Sequence, residues 1–316
     1  MRFAVDPWDP SYGASLDTEL GASTVDVDPG VETPPARWAP IGPAHGLGPA
    51  ATVLFVDGVR RIDAQVWVAE SDGSASPALC ASYAAGVLCC CPDLGAHLLL
   101  ADVRRGLVTT AGGATDVVTA AGTYRVVAAA ARADVAPMQL LSLALQRDLS
   151  DVELAAAAAA RGRHAPPDTL LVVDGPLRGR ESLPRTVGFV KSHRSEYLPP
   201  ALNSVVAQLA AGQRTPVFRL IGGWPRHSWY LRLPGAHGAP WAGVVRVECD
   251  GLLNAAGAAA LAGLSQATLV RFASAAHKDA RAPQNLYPIA GLERGLRRRL
   301  GDPGVLYRAL RRAAAA

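Results

Sequence analysis

Two aspartates close strongly apolar, β-type runs in this chain: Asp57 in VLFVDG and Asp174 in LLVVDG. A strand that delivers a carboxylate at its mouth, used twice, brings two acids beside a metal ion or a phosphate and so points to metal-dependent phosphoryl transfer. The first stretch also has a second reading. Asp57-Gly58 stands between two strand-like runs, VLFV and RRIDAQVWV, where Asp-Gly signals a two-residue hairpin turn. Both readings can hold, because a hairpin can present its turn acid to a site.

Two carboxylates are too few for a pair of divalent ions, which need several oxygen ligands. Further acids must come from elsewhere in the fold. A long helical pattern, residues 138–163, carries Asp148, Asp151 and Glu153 and runs into the strand bearing Asp174. Glu153 is flanked by Val152 and Leu154 and is hard to place wholly in solvent; alternatively, Ser150 or Asp151 starts a second helix with Glu153 as its capping-box acid. The pattern IAGLERGLRRRL offers Glu293 in its first turn, either as a ligand or as an acid favoured by the helix dipole. Lys191 closes the run TVGFVKS, where an ammonium could hold a scissile phosphate and stabilise its developing charge. The plain alternative is a surface lysine. Only Lys191 and Lys278 are lysines among 31 basic residues, so each invites a question about its role. Arg178, Arg180 and Arg194 follow the two strands in loops, where guanidinium groups can contact a nucleic-acid backbone.

Residues 1–48, rich in Pro, Gly and Asp, form a loop-rich N-terminal arm packing through Trp8, Tyr12 and Trp38, and the folded body starts near Ala51. VLFVDGVRRIDAQVWVAE reads as two antiparallel strands, SPALCASYAAGVLCCC as a third, and residues 95–130 as further short strands. After the 138–163 helix come the strands TLLVVDG and TVGFVKS, a helix around ALNSVVAQLAAG, three β-type runs (VFRLIGG, SWYLRLP, AGVVRVECD), an Ala-rich helix from Leu253 to about Ala276, and a last amphipathic helix ended by Gly301 and Pro303. The order predicts an α/β body with an antiparallel start.

Half of the 316 residues are apolar, enough for a sizeable core. No uninterrupted apolar run is long enough for a membrane span. MRFAVDPWDP lacks the apolar segment of a signal peptide, so a cytoplasmic protein without membrane association is expected. Cys80, Cys89, Cys90, Cys91 and Cys249 form no C-x-x-C pair and no second cysteine cluster, which argues against a zinc site. In a strand the consecutive trio would alternate faces as buried, apolar thiols. Residues 1–50 carry seven acids against Arg2 and Arg37, whereas 294–312 carry seven arginines against Asp302. The basic end either meets nucleic acid or an acidic partner, or simply solvates the outer side of a helix.

FVDGV, a helical acid before VVDGPLRG, then VGFVKSHR and QNLYPIAGLERGLRRRLGD, in this order, resemble the NurA domain nucleases over about residues 50–305. The resemblance implies an RNase H-like mixed sheet flanked by helices over 51–316, with residues 1–50 as an extended arm outside it. It also implies degradation of DNA ends with Mn²⁺ or Mg²⁺, two ions in the site, a homodimer, and a HerA-type hexameric ATPase as partner in end resection. Asp57 and Asp174 match the family's strand aspartates and Glu153 its helical glutamate. Where the family often places a histidine after Tyr-Pro, this chain has Glu293; either Glu293 is the fourth ligand, or His277 reaches in, or metal binding is weakened. The alternatives are a catalytically weak or inactive DNA-binding or adaptor subunit of the same motor complex, and an actin-like or sugar-kinase-type phosphotransferase, whose late glycine pair is poorly matched by Gly222-Gly223.

Overall fold

The computed structural model describes residues 21–22, 25–132, 134–163, 166, 168–177, 179, 183–193, 195–236, 238 and 241–315. The chain is mixed α/β. Its strands are β1 (Gly21–Ala22), β2 (Asp26–Asp28), β3 (Val53–Ala69), β4 (Ala75–Cys91), β5 (Gly95–Thr109), β6 (Val117–Thr119), β7 (Gly122–Ala128), β8 (Leu170–Asp174), β9 (Thr186–Val190), β10 (Ser195–Glu196), β11 (Phe218–Ile221), β12 (Arg226–Arg232) and β13 (Val244–Asp250). Its α-helices are α1 (Pro137–Arg163), α2 (Pro200–Gln208), α3 (Ala255–Leu269), α4 (Tyr287–Arg299) and α5 (Pro303–Ala314). Among the described residues one mixed sheet has eleven strands in the order β2-β11-β12-β13-β9-β8-β3-β4-β5-β7-β6, and β1 pairs with β10 separately. None of the helices is long and apolar enough to cross a membrane, among the described residues.

The chain divides into two compact units, the first comprising Met1–Phe55, Cys89–His97 and His164–Ala290. In this unit β8 and β9 run parallel, with Val172 opposite Val187 and Asp174 opposite Phe189, and β13, β12 and β11 continue antiparallel. β8 is apolar without alternation and buried up to Val173, as a strand covered on both faces should be. Part of the expected N-terminal lead-in belongs to this packing. β2 pairs antiparallel with β11, and Trp38 is buried among Leu202, Val206, Phe218 and Tyr230. Glu32 forks onto Arg214 at 2.7 and 2.8 Å and accepts from Val217 N at 2.7 Å. Trp8 and Tyr12 lie outside the described residues. The Ala-rich helix is shorter than its composition suggests: Asn254 caps α3 by accepting from Gly257 N, and Val270–Phe272 form a 3₁₀ turn.

The second unit comprises Val56–Leu88, Leu98–Arg163 and Gly291–Ala316. Leu141, Ala144, Leu145, Leu149 and Val152 of α1 repeat at helical spacing and pack on Leu79, Ala81, Tyr83, Ala85 and Val108. α1 runs unbroken through Ser150 and Asp151, so no second helix starts there and Glu153 is not a capping-box acid. Leu292 and Leu296, with Leu300 just past the helix, seat α4 on Val59 and Ala84. A Cβ on Gly86 would lie 2.9 Å from Leu296 Cδ2, which is why the helix can approach β4 so closely there. α4 is not the last helix. Gly301, at φ +84°, ends it, and Asp302 then caps α5 by accepting from Val305 N, with Pro303 in the first turn.

One expected turn is absent. VLFVDGVRRIDAQVWVA forms the single 17-residue strand β3, and the chain does not reverse at Asp57-Gly58. Gly58 lacks the positive φ that a type I′ turn needs, and its missing side chain serves another purpose.

Candidate metal centre

Asp174 is set by a true strand end. Gly175 takes φ +99°, a conformation that favours glycine, and its N–H donates to Phe189 O at 2.8 Å. The turn then folds back over Gly188, where a Cβ would lie 2.9 Å from both Gly175 O and Leu177 N. Leu177 N donates to Glu248 Oε1 at 2.7 Å, and Glu248 is fully buried between Arg226 and Arg246. A buried carboxylate thus holds the backbone that presents Asp174.

Lys191, just past β9, is no surface lysine. Its side chain is only 9% exposed, and Nζ donates to Asp174 Oδ2 at 2.6 Å and to Asn285 Oδ1 at 3.1 Å. Asn285 in turn donates from Nδ2 to Asp279 Oδ2 at 2.7 Å. Burial would raise the Asp279 pKa, but the Asn285 hydrogen bond, the Arg281 N–H and the Arg281 charge outweigh it and hold the carboxyl below its ordinary value. This Asp174–Lys191–Asn285–Asp279 chain fixes where the ammonium sits. The role of Asp279 had no signal in the sequence beyond its position in the loop before α4.

Asp57 lies inside β3 rather than at a strand mouth, 8% exposed, with Oδ1 accepting from Gly58 N at 2.7 Å. A Cβ on Gly58 would collide with Glu153 Oε1 and lie 2.9 Å from Leu149 Cδ1. The glycine therefore opens the space that the Glu153 carboxylate fills against the strand. Glu153 is 9% exposed on α1. Glu293 is equally buried, in the second turn of α4, with no acid in the first; dipole compensation therefore does not explain it.

Asp57, Asp174 and Glu293 each place a carboxylate oxygen within 4.8 Å of the others. Glu153 is not a member of that tightest group, though it lies directly on Gly58. His277 is exposed in the loop before α4 and also stands outside the group. Arg178, Arg180 and Arg194 lie outside the described residues. With the three acids ionised and Lys191 protonated, the formal balance is two negative charges, before Glu153 is counted. Like charges this close are costly unless a cation joins them.

A second group of metal-type ligands escaped the cysteine spacing: Cys89, Cys91 and His97 meet around the β4–β5 turn. Cys80 and Cys249 are buried thiols, as expected, and burial pushes Cys80 up to about 12. No protein-family model matches the chain, and no curated protein matches it.

Proposed function

We propose that the protein is a metal-dependent nuclease that hydrolyses phosphodiester bonds at DNA ends, with an RNase H-like core of the NurA kind. The observation that carries this reading is the meeting of Asp57, Asp174 and Glu293, acids from a strand, a second strand and a late helix, within 4.8 Å. The placement of β8 beside β3, after the adjacent run β3-β4-β5 and the intervening α1, supports the RNase H-like part of it. The donor set is all carboxylate oxygen, which suits Mg²⁺ or Mn²⁺ better than softer metals. Asp57, Asp174 and Glu293 would hold the ions, with Glu153 as a further acid beside Asp57. Bound there, the metal would supply an activated water and charge stabilisation at the leaving oxygen.

The protein's own groups have separable tasks in this scheme. Asp174 is oriented by its turn and by Lys191, whose ammonium is placed to neutralise charge on a phosphoryl group beside that aspartate. Asn285 and Asp279 keep the ammonium in place. The arginines at 294, 297, 298 and 299 of α4 and 308, 311 and 312 of α5 are exposed, and would bind the DNA backbone by charge rather than sequence. Arg178, Arg180 and Arg194 are proposed for the same task. A homodimer and a HerA-type hexameric ATPase as motor complete the proposal.

One observation favours the alternative, a non-catalytic DNA-binding or adaptor subunit of such a motor: Lys191 already supplies a cation to Asp174. The phosphotransferase reading loses ground, since Gly222-Gly223 lead through Trp224 into β12 and not into a helix. The deciding experiment is digestion of end-labelled linear DNA with Mn²⁺, Mg²⁺ or EDTA, beside folded Asp57→Ala and Asp174→Ala variants. Metal-dependent degradation lost in both variants supports the nuclease. No degradation by wild type, with or without its motor, favours the adaptor.

A further inference from the structure

Strand alternation puts Cys89 and Cys91 on one face of β4 and Cys90 on the other. The chain reverses at once through Pro92, Asp93 and Leu94, with Gly95 at φ +63° closing the turn, as a three-residue hairpin loop requires. His97 lies as far beyond Asp93 as Cys89 lies before it, and the reversal brings its ring back over the two thiols. One ligand atom from each of Cys89, Cys91 and His97 lies within 4.8 Å of the others.

We infer that this hairpin tip is a binding site for a thiophilic divalent metal, zinc above all, separate in chemistry from the carboxylate centre. Two thiolates and an imidazole are a Zn²⁺ donor set, whereas Mg²⁺ and Mn²⁺ prefer oxygen. In a tetrahedral zinc site such ligand atoms stand about 3.5–3.8 Å apart, so only a small closure of side-chain torsions is needed. His97 Nδ1 lies 3.3 Å from Gly95 O. With Nδ1–H donating to that carbonyl, Nε2 keeps its lone pair for the metal, the outer-shell arrangement that orients ligating histidines. Cys89 is buried while Cys91 and His97 are half-buried. The site is therefore open on one side, leaving a fourth position for water or an exogenous ligand, and the metal would clamp the two strands together at the tip of the hairpin.

The test is titration of the full chain, reduced and stripped by chelator, with Co²⁺ followed by Zn²⁺. The expected result is thiolate-to-cobalt charge-transfer absorption and intense tetrahedral visible bands that saturate with one Co²⁺ at the hairpin, whatever the carboxylate centre also takes up, both abolished by Zn²⁺. Cys91→Ser should weaken the charge-transfer band, and His97→Ala should keep it while lowering affinity roughly tenfold or more. Cys90→Ser, on the opposite face, and Asp57→Ala, in the carboxylate centre, should leave the spectrum unchanged. Far-UV circular dichroism of each variant separates lost ligation from lost folding. Cobalt bound without a thiolate band, or the same spectrum in folded Cys91→Ser, would overturn the inference. So would loss of the signal in folded Asp57→Ala.

Discussion

Gly58 and Glu153 occupy complementary space: the glycine has no side chain because the carboxylate of the glutamate stands where a Cβ would be. Asp-Gly here marks a helix acid pressed against a strand, not a turn.

Gly58→Ala should therefore displace Glu153 and Leu149 and destabilise the fold by about 1–3 kcal/mol, the usual range for overpacking. Adding Glu153→Ala should relieve part of that cost, giving a coupling of about 0.5 kcal/mol or more in a double-mutant cycle. Urea unfolding of the wild type, the two single variants and the double variant measures it. Strict additivity would mean that the two residues do not share this space.

Lys191 and Asp174 form a shielded ion pair at 2.6 Å, with side chains 9% and 12% exposed. Lys191→Met leaves the carboxylate without its cation, and breaking such a pair costs about 3–5 kcal/mol when it is well buried. If Asp174 is also a metal ligand, a divalent ion can replace the missing charge. The variant should then be weakened most in EDTA, and Mn²⁺ should raise its Tm by more than it raises that of the wild type. Equal Mn²⁺ shifts would separate Lys191 from the metal centre. Residual cleavage by the variant, if near zero at saturating Mn²⁺, would assign the ammonium to the phosphoryl group as well.

Glu293 and His277 competed in the sequence for the fourth ligand position, and the two differ in setting. Glu293 is buried and grouped with Asp57 and Asp174, whereas His277 is exposed and outside that group. Glu293→Gln should reduce Mn²⁺-dependent DNA cleavage by roughly a hundredfold or more, because a ligand matters at least as much as the groups that orient ligands. His277→Ala should change it less than about twofold, within the scatter of a surface substitution. Single-turnover rates on end-labelled duplex compare them directly.

Asp57-Gly58 and Asp174-Gly175 show how far the sequence could be read. In the second pair the local rule holds: Gly175 takes a positive φ and the strand stops. In the first pair the same dipeptide continues a strand, since the pressure on Gly58 comes from Glu153 and Leu149 on a helix remote in sequence. α1 and the runs that became β8, β9 and β11–β13 were legible because long apolar periodicity and turn residues are local signals. The buried Glu248 behind the Asp174 turn, and Asp279 behind Lys191, were not, because a polar residue's burial depends on partners that only the fold supplies. The Cys89–Cys91–His97 group was missed for a simpler reason. Counting cysteines against cysteines overlooks a histidine that a hairpin returns to them.

Glu32 provides a pH-dependent check on how residues near the N-terminus are held. Its carboxylate forks onto Arg214 and accepts from Val217 N. Burial raises the pKa of Glu32, but the Arg214 hydrogen bonds and charge and the Val217 N–H outweigh it, so the folded-state value lies below the ordinary 4.5. A group with a depressed folded pKa stabilises the fold fully above its unfolded value, and the contribution disappears as pH falls through the folded one. At pH 7, Glu32→Gln should therefore be less stable than wild type by about 3 kcal/mol, because Arg214 is left buried without its counter-ion. The gap should begin to narrow below pH 4.5 and close at lower pH, where wild-type Glu32 is itself neutral. Urea denaturation at pH 7 and at pH 3 reads both values; a gap that persists unchanged at pH 3 would place the loss in packing rather than in charge.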